Sequence, residues 1–148
     1  MEESFGRILG IDYGDSRIGL SISDPLRIIA QALTTLSNTD SLFSEIQQVI
    51  THQQVKKIVI GNPLTLNGEH KESSEKVQQF AIRLKEIFDG EIIFVDERLT
   101  SVQAHHILRQ TTHKKKRRDK TLVDKLAAVF ILQSYLDREQ FKKKYELR

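Results

Sequence analysis

Near the N-terminus, two short apolar strands joined by a four-residue turn restrict the fold more than any other feature. Arg7-Ile-Leu-Gly-Ile-Asp12 runs through Tyr13-Gly-Asp-Ser16 into Arg17-Ile-Gly-Leu-Ser-Ile-Ser23. Ile18, Leu20 and Ile22 alternate with small or polar residues, so the segment reads as a hairpin half-buried on one face. Asp24-Pro25 breaks the second strand, and Ile28 to Leu36 makes a third. A helix is expected from about Asp40 to Gln53, because Leu42, Phe43, Ile46, Val49 and Ile50 recur at helical spacing. Val55 to Ile60 is a short strand ended by Gly61-Asn-Pro63, followed by a polar loop to Ser73. Ser73 or Ser74 can cap a second helix running to about Phe88. Asp89-Gly90 turns into a fifth strand, Glu91 to Asp96, and Thr100-Ser-Val-Gln103 has the capping-box spacing that opens a third helix. The last helix starts near Thr121 and is apolar nearly all round from Leu122 to Leu136, so it should be largely buried. Three meandering strands followed by α/β crossovers imply an α/β fold, a mixed sheet with helices on its faces.

The 148 residues suit a single domain over 1–148, with a core of about 5–137 and a basic C-terminal tail, 138–148. With 39% hydrophobic and 29% charged residues the chain can bury a core and is not composed like a disordered one. It has no cysteine, which excludes disulfides, thiolate zinc sites and cysteine nucleophiles. The longest apolar stretch, Leu126 to Leu132, is too short to span a bilayer, and the first residues lack an apolar signal core. A cytoplasmic protein with no membrane partner is the expectation. Charge is unevenly distributed: residues 1–100 carry 10 Lys and Arg against 15 Asp and Glu, whereas residues 101–148 carry 13 against 5. Most of the excess lies in His113-Lys-Lys-Lys-Arg-Arg118 and in Lys142 to Lys144. Basic runs beside an acidic body suggest a polyanionic partner; a solvated loop kept charged for solubility reads the same run.

Three acids stand where chemistry could use them. Asp12 ends a buried strand with Gly10 and Gly14 around it, at the sheet edge where ligand sites of α/β folds gather. It is also an ordinary turn former. Gly14 to Gly19 has P-loop glycine spacing, but it lacks the following Lys-Ser/Thr and joins two strands, which disfavours a Walker-type ATPase. Asp96-Glu97 again puts acids at a strand's end, where they could equally favour a helix dipole. Asp124, three residues after Thr121, has the spacing of a capping box. If the first and fifth strands are near neighbours, Asp12 and Glu97 share one edge and the last helix could bring Asp124 over them. Three close carboxylates repel unless cations neutralise them, and oxygen ligands select hard ions such as Mg²⁺ or Mn²⁺. His105 and His106 point about 100° apart on a helix and cannot clamp one metal together.

Gly10-Ile-Asp-Tyr-Gly-Asp-Ser-Arg-Ile-Gly19, Ser23-Asp-Pro25, Asp96-Glu-Arg-Leu-Thr-Ser101 and Asp124-Lys-Leu-Ala-Ala128 occur together in this order and spacing. In this the chain resembles the YqgF family, also called RuvX-like Holliday junction resolvases, from about Arg7 to Asp137. The resemblance implies an RNase H-like fold with a five-stranded mixed sheet in the order 3-2-1-4-5 and helices on both faces. It implies a metal-dependent endonuclease that hydrolyses phosphodiesters, in 5′-end processing of pre-16S ribosomal RNA or, alternatively, on branched Holliday-junction DNA. Asp12, Glu97 and Asp124 would be the catalytic and metal-holding acids. Two Mg²⁺ or Mn²⁺ ions would lie roughly 3.5–4 Å apart, with Asp12 bridging them. Arg17 and Arg98 would support the site or the nucleic-acid backbone, and Lys114, Lys115, Lys116, Arg117 and Arg118 would hold flanking phosphates. The chain departs from the family at Gly61-Asn-Pro63, where an apolar residue often stands between the Gly and the Pro. Two rivals remain: an actin-like sugar-kinase half-domain, and a non-catalytic nucleic-acid-binding module that uses the basic run alone.

Overall fold

A computed structural model describes residues 6–62, 72–96 and 120–146. Its elements are β1 (Arg7–Tyr13), β2 (Arg17–Ser23), β3 (Ala30–Ser37), α1 (Leu42–Gln53), β4 (Val55–Asn62), α2 (Glu72–Leu84), β5 (Glu91–Asp96) and α3 (Lys120–Glu146). The strands form one sheet in the order β3-β2-β1-β4-β5, as the resemblance implies. β1 pairs antiparallel with β2 and parallel with β4; β2–β3 is antiparallel and β4–β5 parallel. The helix expected from Thr100 lies outside the described residues.

β1 is central and apolar on both faces, as a strand covered by helices on each side must be. Leu9 and Ile11 join Leu42 and Ile46 of α1 and Val77, Phe80 and Leu84 of α2 in one buried cluster. Ile8 joins Ile131, Leu132, Tyr135 and Leu136 of α3 in the other. Full burial of one such side chain contributes about 1.5–3 kcal/mol, so the two clusters hold the helices to the sheet. α3 is buried along one stripe, Ala127, Ala128, Ile131, Leu132, Tyr135 and Leu136, whereas Val129 and Phe130 stay partly exposed. The helix therefore lies on the sheet without being enclosed by it. Past Leu136 it continues to Glu146 and carries Lys142, Lys143 and Lys144 into solvent, so Arg138 and these three lysines belong to this helix. No helix among the described residues is long and apolar enough to cross a membrane.

Of the boundaries that differ from the sequence expectation, three have a local reason. β3 begins at Ala30 and not at Ile28. The N–H groups of Ile28 and Ile29 instead donate to Asp24 Oδ1 at 2.7 and 2.8 Å, which takes both residues out of the ladder and leaves them exposed. α1 begins at Leu42, and the Ser41 hydroxyl donates to Glu45 at 2.6 Å in place of capping the backbone. α2 stops at Leu84, four residues short of Phe88. Glu86 N–H donates to Arg83 O and Ile87 N–H to Leu84 O, both at 3.0 Å, tightening the last turn to i→i+3 bonding. The chain needs that tight exit because Gly90 passes within a Cβ's reach of Lys56 O and the Phe88 ring.

Candidate active site

α3 approaches the sheet closely at Gly10. A Cβ there would lie 2.3 Å from Ser21 Oγ, 2.8 Å from Leu132 Cβ and 3.2 Å from Ala128 O. Only a residue without a side chain lets α3 settle this deeply. Beside it the Ser21 hydroxyl donates to Ala128 O at 2.8 Å, and both residues are fully buried. A buried polar pair of this kind is costly to leave half-made, so it fixes the helix along its axis. Sequence reasoning passed over Ser21; its signal was a hydroxyl inside an otherwise apolar strand.

The direction of α3 follows from the same face. Ile8, two residues before Gly10, packs on Leu132, Tyr135 and Leu136, and a small cleft beside it reaches Glu139. Moving forward along β1 therefore moves backward along α3. Asp12 stands about 7 Å beyond Gly10 on the same face, since a strand advances some 3.3 Å per residue and alternates sides. Residue 124 stands one helical turn, about 6 Å, before Ala128. The end of β1 that carries Asp12 and the start of α3 that carries Asp124 thus lie at the same end of the domain; the Asp124 side chain is outside the described ones.

The parallel strands bring the third element to this edge. Ile11 is level with Ile60, so Asp12 is level with Gly61, which pairs with Val95. Val95 packs in the cluster under α3, and Asp96 closes β5 one residue later. Two strand spacings, about 10 Å, separate the β1 and β5 ends. Glu97 and Arg98 follow Asp96 directly and lie outside the described residues, as do Lys114 to Arg118. Among the described residues no three His, Asp or Glu side chains come together as a metal site, and Asp12 is the one member of the acid trio whose side chain is described.

Asp12 is half-buried, pairs across the ladder with Gly19, and so has no side chain beside it on β2 at that level. Arg17, two residues before Gly19, falls on the same face of the sheet and is also half-buried. The turn between them is held from outside. Asn38 Nδ2 donates to Gly14 O at 3.0 Å and to Tyr13 OH at 3.2 Å, and Lys76 pairs with Asp15 at 3.2 Å. On β4, the asparagine of Gly61-Asn-Pro63 accepts a 2.7 Å hydrogen bond from the fully buried Ser74. Ser74 lies inside α2 and ties the helix to the strand end, a role that an apolar residue at position 62 could not fill. A carboxylate on a rigid strand end, with an arginine on the same face, has the donor chemistry for a hard cation.

Residues 6–138 match the family model described as "RuvX: Holliday junction resolvase". A relative from Sulfurihydrogenibium sp. is 47% identical over 137 residues, covering 91% of this chain and 92% of its own. One from Porphyromonas gingivalis is 46% identical over 134 residues, covering 89% and 96%. Both carry the name "Putative pre-16S rRNA nuclease". Among solved structures, Thermus thermophilus RuvC in complex with a Holliday junction substrate superposes with a TM-score of 0.54 at 13% identity, covering 90% of this chain and 96% of that one. The Fowlpox virus resolvase bound to Holliday junction DNA gives 0.53, also at 13% identity, covering 90% and 98%. At such low identity these two show a shared fold, the RNase H-like arrangement. The chain belongs to the RuvX family of Holliday junction resolvases.

Proposed function

We propose that this protein is a metal-dependent endonuclease that hydrolyses phosphodiester bonds in 5′-end processing of pre-16S ribosomal RNA. The observation that carries the reading is the clamp at Gly10, which brings the Asp12 end of β1 and the Asp124 end of α3 together. The relatives' names supply the substrate. Asp12, Glu97 and Asp124 would hold Mg²⁺ or Mn²⁺, ions that suit an all-oxygen donor set. When bound, such ions polarise the phosphodiester and lower the pKa of water. The chain's own residues do the rest. Asp12 is held on a central strand, so its backbone position is fixed by the core before substrate arrives. Arg17 on the same face orients a backbone phosphate, and Arg98 and Lys114 to Arg118 hold phosphates on either side of the scissile bond. Hydrolysis adds the water oxygen to phosphorus, breaks one ester P–O bond and returns a proton to the departing hydroxyl. No nucleophilic side chain is needed, in keeping with a chain that has no cysteine. A pre-rRNA substrate is met in the cytoplasm.

The family's description favours a second reading, cleavage of four-way DNA junctions. One experiment separates the two: Mg²⁺-dependent cleavage of a pre-16S 5′-leader RNA and of a four-way DNA junction, side by side, by wild type and Asp12→Asn. The expected result is cleavage of the RNA by the wild type alone, with Asp12→Asn still folded and still binding. Substantial activity in the pure variant at saturating Mg²⁺ overturns the assignment of Asp12, and cleavage of the junction alone selects the second reading.

A further inference from the structure

On the face of β1 opposite Asp12, at the same end of the sheet, lies a cavity of about 160 Å³ that the hydrolytic chemistry at Asp12 does not use. Tyr13, Asn38, Phe43, Lys76, Phe80 and Arg83 line it. Tyr13 follows Asp12 directly, so the two side chains leave the strand on opposite faces from adjacent Cα atoms. The aromatic rings form a connected group: Tyr13 and Phe80 centroids are 4.8 Å apart, and Phe43 and Phe80 are 5.4 Å apart. The Arg83 guanidinium carbon lies over the Phe43 ring, 4.2 Å from its centroid, on a side chain that is otherwise exposed. Lys76 and Arg83 are seven residues apart on α2, two turns along one side. Asn38 Nδ2 donates to Tyr13 OH and Gly14 O, which sets the orientation of that amide at the rim.

The volume is below the roughly 300–1,000 Å³ of small-molecule and cofactor sites, so a whole nucleotide cofactor does not fit. One planar ring does. Rings and a guanidinium suit a π-face, and the charge of Arg83 suits the phosphate attached to it. We propose that this cavity takes an unpaired nucleobase from the same polynucleotide whose phosphodiester lies at Asp12, stacking it against Arg83 and the Tyr13–Phe43 edge. Single-stranded nucleic acids are recognised in this way, through bases stacked on aromatic rings and arginine planes. The inference rests on the reading that a nucleic-acid backbone is brought to Asp12. It adds that the enzyme engages substrate with an unpaired nucleotide beside the scissile bond.

The probe is a duplex with a single-stranded extension, made as RNA and as DNA of the same sequence. The fluorescent base 2-aminopurine is moved through the extension one position at a time, and wild-type protein is added in EDTA so that nothing is cleaved. Quenching confined to one or two adjacent positions is expected, and removing that base should weaken binding roughly 5- to 150-fold. Arg83→Ala and Arg83→Lys should both lose the quenching, the lysine variant because it keeps the charge and loses the plane. Affinity of Arg83→Lys for fully paired duplex should stay unchanged. Three results overturn the proposal: no position quenched, quenching retained in Arg83→Lys, or equal loss of paired and unpaired binding in that variant. Whichever polymer shows the quenching identifies the source of the base. Quenching without Mg²⁺-dependent cleavage would sink the nuclease reading and leave the base site, whereas cleavage without quenching would do the reverse.

Discussion

Gly10→Ala tests whether the position of α3 on the sheet sets activity. The added Cβ would stand 2.3 Å from Ser21 Oγ and 2.8 Å from Leu132 Cβ, both in a fully buried layer. Leu132 Cβ is anchored to helix backbone, so the conflict is relieved only if α3 lifts by several tenths of an ångström or more. Overpacking of a tight core costs about 1–3 kcal/mol, and weakening the Ser21–Ala128 bond adds about 0.5–1.5 kcal/mol. A total near 2–4 kcal/mol should lower the melting temperature by about 5–15 °C for a domain of this size. Because the same helix carries residue 124, a misplacement near 1 Å should reduce turnover by about 100-fold even where the protein is fully folded. Thermal unfolding followed by circular dichroism, with cleavage assayed well below the transition, measures both effects. The double variant Gly10→Ala/Ser21→Ala removes the shortest conflict and should be less destabilised than the two single changes added together. A melting temperature within about 2 °C of wild type, with cleavage intact, would show that α3 does not depend on the close approach.

Millimolar Mn²⁺ or Mg²⁺ should raise the melting temperature of the wild type by binding the native state selectively, and the rise should shrink in Asp12→Asn; a wild type indifferent to both ions speaks against a preformed metal site. Replacing Lys114, Lys115 and Lys116 together by Ala should weaken nucleic-acid binding across sequences and flatten its salt dependence by about one unit of slope for each phosphate no longer neutralised. Titrations at several salt concentrations check this, and identical slopes would leave the basic run as a solubility device. Asp24 gives a pH prediction. Burial pushes its carboxyl pKa up, but the backbone N–H groups of Ile29, Ile28 and Leu26 outweigh that and hold it below its ordinary value. A depressed native pKa contributes stability above the unfolded value, about 3.9, and that contribution is lost as pH falls through the native one. Asp24→Asn should therefore be less stable than wild type near neutrality, and urea midpoints should converge as the pH falls below the native pKa. A gap that persists in acid would mean the charge is not what holds the loop.

A mixed sheet with helices on its faces could be read in the sequence because the apolar runs differ in period, whereas the strand order came only with the family resemblance. β2 matches its expected bounds, Arg17–Ser23, because its apolar residues alternate, and β5 does so at Glu91–Asp96, where a short apolar run follows the Asp89-Gly90 turn. What could not be read is where long-range partners compete with local preference. Ile28 and Ile29 are strong strand formers, yet a carboxylate four and five residues earlier captures their N–H groups. Ser74 looks like a helix cap, but its hydroxyl is taken by Asn62 across the sheet edge. The site divides in the same way. Asp12 is conspicuous as an acid ending an apolar strand, whereas Ser21 and Gly10 matter only because α3 arrives more than a hundred residues later. Tyr13, Phe43 and Arg83 come from three separate elements, and nothing in their spacing announces a common cavity.

The placement of the acids follows from topology more than from any loop. β1 pairs antiparallel with β2 and parallel with β4, so it stands where the sheet changes direction, the position at which α/β sheets open a crevice beyond their strand ends. The crossover through α1 brings β4 back in parallel, as the one containing α2 does for β5, so the carboxyl ends of β1, β4 and β5 share one edge. The ends of β1 and β5 are then about 10 Å apart, two strand spacings, whatever the intervening loops do. α3 comes last, and two features set it. Its buried stripe chooses the face, and Gly10 with Ser21 chooses the depth and the axial position. Three carboxylates that repel one another would not gather if each were free to move. Separate pieces of core packing, and not the carboxylates themselves, determine where β1, β5 and α3 run.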